Sequence, residues 1–175
     1  MTNIFPYFNS KPKIDKSAFI APNTSIIGDV EIGKHSGIWF NSVVRGDVAK
    51  VRIGNYTNVQ DGTVIHVSRF GSGNTIIGDY VTIGHKAMIH ACKLEDNCFV
   101  GMSAIIMDNA VIESGAWVAT GALITEGKIV KSGEIWAGYP AKFFRKLTDA
   151  EQKYIRVSAD NYAKHAAEYL NMESW

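Results

Sequence analysis

Apolar residues fall at every sixth position over long stretches of this chain. Ile14, Ile20, Ile26, Ile32, Ile38 and Val44 form one run, Ile53, Val59 and Ile65 a second, and Ile77, Ile83 and Ile89 a third. A fourth runs unbroken through Leu94, Val100, Ile106, Ile112, Val118, Ile124, Val130 and Trp136. Neither the period of an amphipathic helix nor the two-residue alternation of a long strand gives that spacing. The residue four after each apolar position is mostly small, as at Thr24, Ser36, Ser42, Ala104, Ala110 and Ala116. The residue one after is often glycine, as at Gly33, Gly54, Gly78, Gly84 and Gly101. Each unit reads as a short strand and a corner. Three units make one triangular coil, and coils stack at the strand spacing of about 4.8 Å. The predicted fold is mainly β, a parallel β-helix with aliphatic side chains pointing into the prism.

Three steps break the period: three extra residues before Ile53, six extra before Ile77 and one fewer before Leu94. The extra residues are expected in loops. The prism is expected over 14–141, after a lead-in segment 1–13, and to end near AGYPAKFFRKL, where Pro140 cannot donate to a ladder. Residues 142–175 then supply an exit and a C-terminal α-helix packed along a prism side. Thr148 and Glu151 form a capping box, followed by strong helix formers without Gly or Pro. Tyr154, Val157, Ala163, Ala166 and Leu170 are its expected shared face. The chain reads as a single domain, 1–175.

Charge and composition remove several functions. A formal net charge of +1 gives no long-range field for nucleic acid or an anionic membrane. No run approaches the ~18 apolar residues of a membrane span, and the start of the chain has no signal-peptide pattern. Cys92 and Cys98 form no CxxC pair and read as buried thiols, which fits a reducing compartment. A cytoplasmic location is expected.

The candidate chemistry is His66, His85 and His90. Counting strands by face puts Val44, Ile65 and Ile89 on one face of successive coils and Val59 and Ile83 on the preceding face. Side chains alternate along a strand, so Arg45, His66 and His90 point outward in one column. His66 and His90 can then chelate one ion. His85 lies near the corner of another face, from which a second chain can supply it. Three copies about a three-fold axis give a homotrimer with sites between subunits, each with two histidines from one chain and one from the next. Three neutral imidazoles with an open position suit zinc, with iron, cobalt or nickel as alternatives; zinc lowers the pKa of bound water to about 7. His35 and His165 match no ligand position and read as surface or packing residues. Trp39, Trp117 and Trp136 read as packing.

RGD at 45–47, NVQDGTVIH at 58–66, IGHKAMIHAC at 83–92, VGMSAIIMDNAVI at 100–112 and AGYPAKFFRKL at 137–147 resemble the γ-class carbonic anhydrases over nearly the whole chain. The resemblance implies a left-handed prism, a trimer, and a metal on His66, His85 and His90. It also implies an Arg45–Asp47 ion pair at the interface, Gln60 with Asn58 orienting bicarbonate or metal-bound water, and Tyr162 near the site. The implied reaction is reversible hydration of carbon dioxide by a metal-bound hydroxide. The family's type carries proton-ferrying glutamates directly after the RxD aspartate and in an acidic loop after the first histidine. Here Val48 follows Asp47, and VSRFGSGNT at 67–75 holds no carboxylate, so hydration is expected to be slow and buffer-dependent. The hexapeptide pattern alone is shared with acyltransferases. The alternatives are therefore a hexapeptide acyltransferase, a coenzyme A thioesterase or a non-catalytic metal-binding trimeric scaffold.

Overall fold

The computed structural model describes residues 3–71 and 73–172. The six-residue period becomes short parallel strands stacked on three faces of a β-helix. The first face carries Phe19–Ile20, Gly37–Ile38, Asn58–Val59, Thr82–Ile83, Phe99–Val100, Trp117–Val118 and Glu134–Gly138. Val64–His66, Met88–His90, Ile105–Ile106 and Leu123–Ile124 lie on the second. Thr75–Ile77, Lys93–Leu94, Val111–Ile112 and Ile129–Val130 lie on the third. Like residues stack on like: Ile65 pairs with Ile89, Ile89 with Ile106 and Ile106 with Ile124, all fully or almost fully buried.

The corners explain the rest of the repeat. The third residue after the apolar one turns the chain with a left-handed backbone, at His35, Tyr56, Tyr80, Lys86, Asn97, Ser103, Asn109, Gly115, Gly121 and Gly127, with φ from 53° to 72°. A side chain there costs on the order of 1–2 kcal/mol. Rung-to-rung hydrogen bonds offset it, as from Tyr80 N to Asn55 O and Ser103 N to His85 O. Buried hydroxyls at the small position donate to corner carbonyls one coil on, Ser36 to Gly54 O and Thr57 to Gly78 O, both at 2.7 Å. At Gly101 a Cβ would stand 2.4 Å from the Thr120 backbone nitrogen, so close approach of two corners requires glycine there.

The irregular steps resolve differently from expectation. The three extra residues before Ile53 make no loop. Val43–Ile53 is one 11-residue strand that passes a corner, pairing with Val64–His66 at one end and Thr75–Ile77 at the other. Its neighbour Ser25–Ile32 does the same, with a register shift between Gly28 and Val30. The extra residues are absorbed as a bulge, residues 47–50 standing opposite Asp29 between the Gly28–Gly46 and Val30–Val51 pairs. The six extra residues before Ile77 do leave the prism as a turn, closed by Ser68 N to Gly73 O at 2.9 Å. The shortened step before Leu94 is taken up at Ala91, where φ is 45°. At the ends, Asn3–Phe5 adds a parallel strand beside Ser25–Ile32. Ala141–Lys146 folds back antiparallel on Glu134–Gly138, so the exit segment begins with a strand.

Helix α1 (Asp149–Leu170) starts with the capping box: Glu151 N donates to Thr148 Oγ1, and Thr148 N donates to the Glu151 carboxylate at 2.9 Å. Its buried face agrees with the expected one at Ala166 and departs from it elsewhere. Ile155, Ser158, Ala159 and Ala166 are buried, whereas Tyr154, Val157 and Leu170 are about half exposed. The prism wall beneath is built of large rings. Ala166 packs on Phe19 and Trp39, and Ile155 on Ile135 and Leu147 beside Phe99 and Trp117. With bulk supplied by the wall, small helical residues fit against it. Tyr154 lies at the rim, stacked 6.0 Å from Trp117. Among the described residues no helix is long and apolar enough to cross a membrane.

Ile106 is fully buried in the middle of a stack, so Ile106→Ala is expected to lower unfolding free energy by about 2–5 kcal/mol. Exposed Lys128→Ala is expected to stay within about 0.5 kcal/mol in the same chemical denaturation series.

The Arg145 guanidinium, with the Thr148 N–H and hydroxyl, holds the Glu151 carboxyl down to about 2. A folded value below the unfolded one means that the contribution is complete above about pH 5 and is lost as pH falls towards 2. The stability gap between the natural chain and Glu151→Gln, followed by melting temperature, is expected to be constant above that pH and to close below it.

Candidate functional site

Two strands of the second face bring His66 and His90 into register, one coil apart. Each ring has a carboxylate on one nitrogen. His66 Nε2 lies 3.1 Å from Asp47 Oδ1, and His90 Nδ1 lies 2.5 Å from Asp108 Oδ1. A carboxylate accepts, so each of these nitrogens carries a proton, and in a neutral ring the other nitrogen is an acceptor. The remaining nitrogens, His66 Nδ1 and His90 Nε2, face each other at 3.2 Å. Two lone pairs so placed repel unless something positive lies between them. Two imidazoles on one tetrahedral ion, with bonds of about 2.0–2.1 Å, would sit about 3.3 Å apart. The donor set thus fits a shared cation.

The electrostatics favour a neutral His66 ring. Burial pushes the His66 imidazole below its ordinary value, Arg45 and His90 add to the effect, and Asp47 only partly opposes it. Burial pushes the Asp47 carboxyl up, but hydrogen bonds from His66 and Arg45 outweigh it and bring it below its ordinary value. Arg45 and Asp47 form the expected ion pair within the chain. Asp47 therefore bridges Arg45 and His66.

His85 stands elsewhere, in the turn after Thr82–Ile83 on the first face, with Nδ1 2.9 Å from Asp61 Oδ2. No group of three His, Cys, Asp or Glu side chains able to hold an ion forms within one chain among the described residues. The structure brings His66, His90, Asp47 and Arg45 together, and sets His85 beside Gln60 and Tyr162 in a cleft of about 360 Å³ under α1. Gln60 and Asn58 are buried and linked: Gln60 Nε2 donates to Asn58 Oδ1 at 3.1 Å, and Asn58 Nδ2 donates to Thr82 Oγ1 at 2.9 Å. Thr82 in turn donates to Ser158 Oγ of α1 at 3.1 Å. This chain fixes which way both amides point. Burial raises the Tyr162 phenol, as does Asp61, so it stays a neutral hydroxyl.

Asp108, in the MDNA segment, was not singled out from the sequence. It lies 18 residues from His90, one coil of the repeat, and that offset was the available signal. Cys92 and Cys98 are free, buried thiols, with Cys92 pushed by burial to about 12. His35 stacks 4.9 Å from Tyr56, away from the site.

These features define a hexapeptide-repeat β-helix with carboxylate-backed histidines on its outer faces. Residues 11–46 match the family model described as bacterial transferase hexapeptide (six repeats). A protein of Methanocaldococcus jannaschii named probable carbonic anhydrase is 53% identical over 86% of this chain and 94% of its own length. Gamma carbonic anhydrase 2, mitochondrial, of Arabidopsis thaliana is 50% identical over 92% of this chain, which spans 61% of that protein. A crystal structure of a hexapeptide transferase family protein from Anaplasma phagocytophilum superposes with a TM-score of 0.92 at 51% identity, covering 95% of this chain and 98% of that one. The chain belongs to the γ-class carbonic anhydrase family.

Proposed function

We propose that three copies of this chain assemble so that His85 of one meets His66 and His90 of the next, and that each site so formed hydrates carbon dioxide reversibly. The observation that carries this reading is the pair of acceptor nitrogens, His66 Nδ1 and His90 Nε2, held face to face by Asp47 and Asp108. His85 is prepared in the same way, with Asp61 on Nδ1 leaving Nε2 for a ligand. An apolar column supports the assembly. Val43, Val64, Met88, Ile105 and Leu123 stack outward on the face that carries His66 and His90, none of them buried by its own chain. A sheet face of that kind calls for cover.

Zinc, or iron, cobalt or nickel in its place, would supply a Lewis acid that makes water a nucleophile near neutral pH. The chain's own residues do the rest. Asp47, Asp61 and Asp108 fix the tautomer and direction of each imidazole. Gln60, locked by Asn58, Thr82 and Ser158, orients an oxygen of carbon dioxide or bicarbonate. Tyr162 offers a neutral hydroxyl from α1. Val48 packs on the core, and loop 67–75, Ser72 lying outside the described residues, carries no carboxylate. Proton removal is then the slow step. Free, buried Cys92 and Cys98 suit a reducing compartment such as the cytoplasm.

Acyl transfer is the second reading, favoured by the name of the Anaplasma structure. It needs one basic histidine and gives no purpose to three carboxylate-backed ones. A coenzyme A thioesterase or a metal-keeping scaffold would share the site but not the turnover.

His66→Ala and His85→Ala subunits, refolded together, are expected to regain metal, because each mixed trimer rebuilds one complete site while either variant alone binds none. Metal analysis showing no recovery would place all ligands in one chain and remove the shared site.

Metal-loaded protein is expected to hydrate carbon dioxide slowly in dilute buffer and faster as imidazole is added, read by stopped-flow pH change. Absence of hydration at every buffer level, with metal full, would favour the scaffold or another substrate.

A further inference from the structure

We propose that His165 of α1 is the proton-transfer residue of this site, standing in for the carboxylates missing after Asp47 and in loop 67–75. This inference rests on the reading of the site as a hydrating centre. His165, read from sequence as a surface or packing residue, lines a second cleft of about 460 Å³ together with His85, Asp61 and Tyr162. Its ring meets that of Tyr162 edge to face at 6.2 Å. His165 is exposed and Tyr162 is half-buried, so the pair spans the distance from solvent to the His85 side of the cleft.

The cleft has room for water between these side chains. The other titratable groups facing His165 across the cleft are Glu168, one helical turn on, and Tyr169. Among these, phenols hold their protons too tightly to accept one near neutrality, and Asp61 is engaged by His85. An imidazole is the side chain that can accept and release a proton near neutral pH.

The step balances without a further reactant. Carbon dioxide and water give bicarbonate and one proton. That proton passes through cleft water to the free nitrogen of the His165 ring, and from the ring to buffer base in solution. Substrate binding and attack do not involve His165. Its loss should therefore lower the turnover number and spare kcat/KM.

The test uses metal-loaded full-length protein and its His165→Ala variant, with metal content measured for both. In dilute buffer the variant is expected to turn over on the order of tenfold more slowly, with kcat/KM unchanged and the rate restored by added imidazole. Equal turnover in dilute buffer, or a loss that imidazole does not restore, overturns the proposal. A second readout does not depend on hydration. The His165 ring resonances, followed by NMR against pH, are expected to shift their midpoint when zinc is loaded, because the new charge lies across the cleft. A midpoint indifferent to zinc overturns the proposal even if the protein hydrates nothing. A midpoint that shifts in a protein with no turnover keeps the proton path and removes the substrate reading instead.

Discussion

The whole molecule depends on aliphatic side chains stacking directly on their counterparts one coil away. Ile65, Ile89 and Ile106 show the constraint plainly, since each is closed off by the residue above and below it. Parallel pairing in register is what makes this possible, and register fails if a coil gains or loses a residue without a corner to absorb it. The left-handed corner residues and the close-approach glycines serve that requirement. They return the chain to the same phase after every strand, so the outer faces become columns as regular as the core.

The site is a by-product of that regularity, changed at a few places. Asp47, His66, His90 and Asp108 come from separate coils, yet they meet because outward positions align as the inward ones do. Stacking alone would leave a ring on an outer face free to rotate. The carboxylates remove that freedom, and the result is a pair of acceptors at 3.2 Å that would repel in a ring pair without a cation. His85 belongs to a corner on another face. Two half-sites on adjacent faces of one rigid prism cannot close on each other, and this rigidity argues for a second chain more strongly than any single distance.

Most of this was legible because the period is carried by residue type. Ile and Val at sixth positions fixed the strand phases, and through them the column of Arg45, His66 and His90, while the Arg45–Asp47 pair came from the family resemblance. What escaped depended on shape or on pairing across coils. Val43–Ile53 passes a corner as one strand with a bulge opposite Asp29, which residue types alone do not reveal. The expected helix face held at Ala166 but included Tyr154, Val157 and Leu170, whereas the residues buried besides it are Ile155, Ser158 and Ala159. Asp108 was visible only by counting one coil from His90.

Helix α1 does more than cover the first face. Its Ser158 ends the hydrogen-bond chain that begins at Gln60, so the amide in the cleft takes its direction from a residue 98 positions along the sequence. The same helix presents Tyr162 one turn and His165 two turns further on. A prism wall can place side chains in columns but cannot roof them, because outward residues on a flat parallel sheet all point away from it. A roof must come from another element or another copy. On the His85 side α1 provides it, with rings of Phe19, Trp39 and Tyr169 as the hinge of contact. Among the described residues no helix lies over the His66 and His90 side. The face with the open pair of nitrogens is also the face with the uncovered apolar column, and one neighbouring subunit would meet both needs.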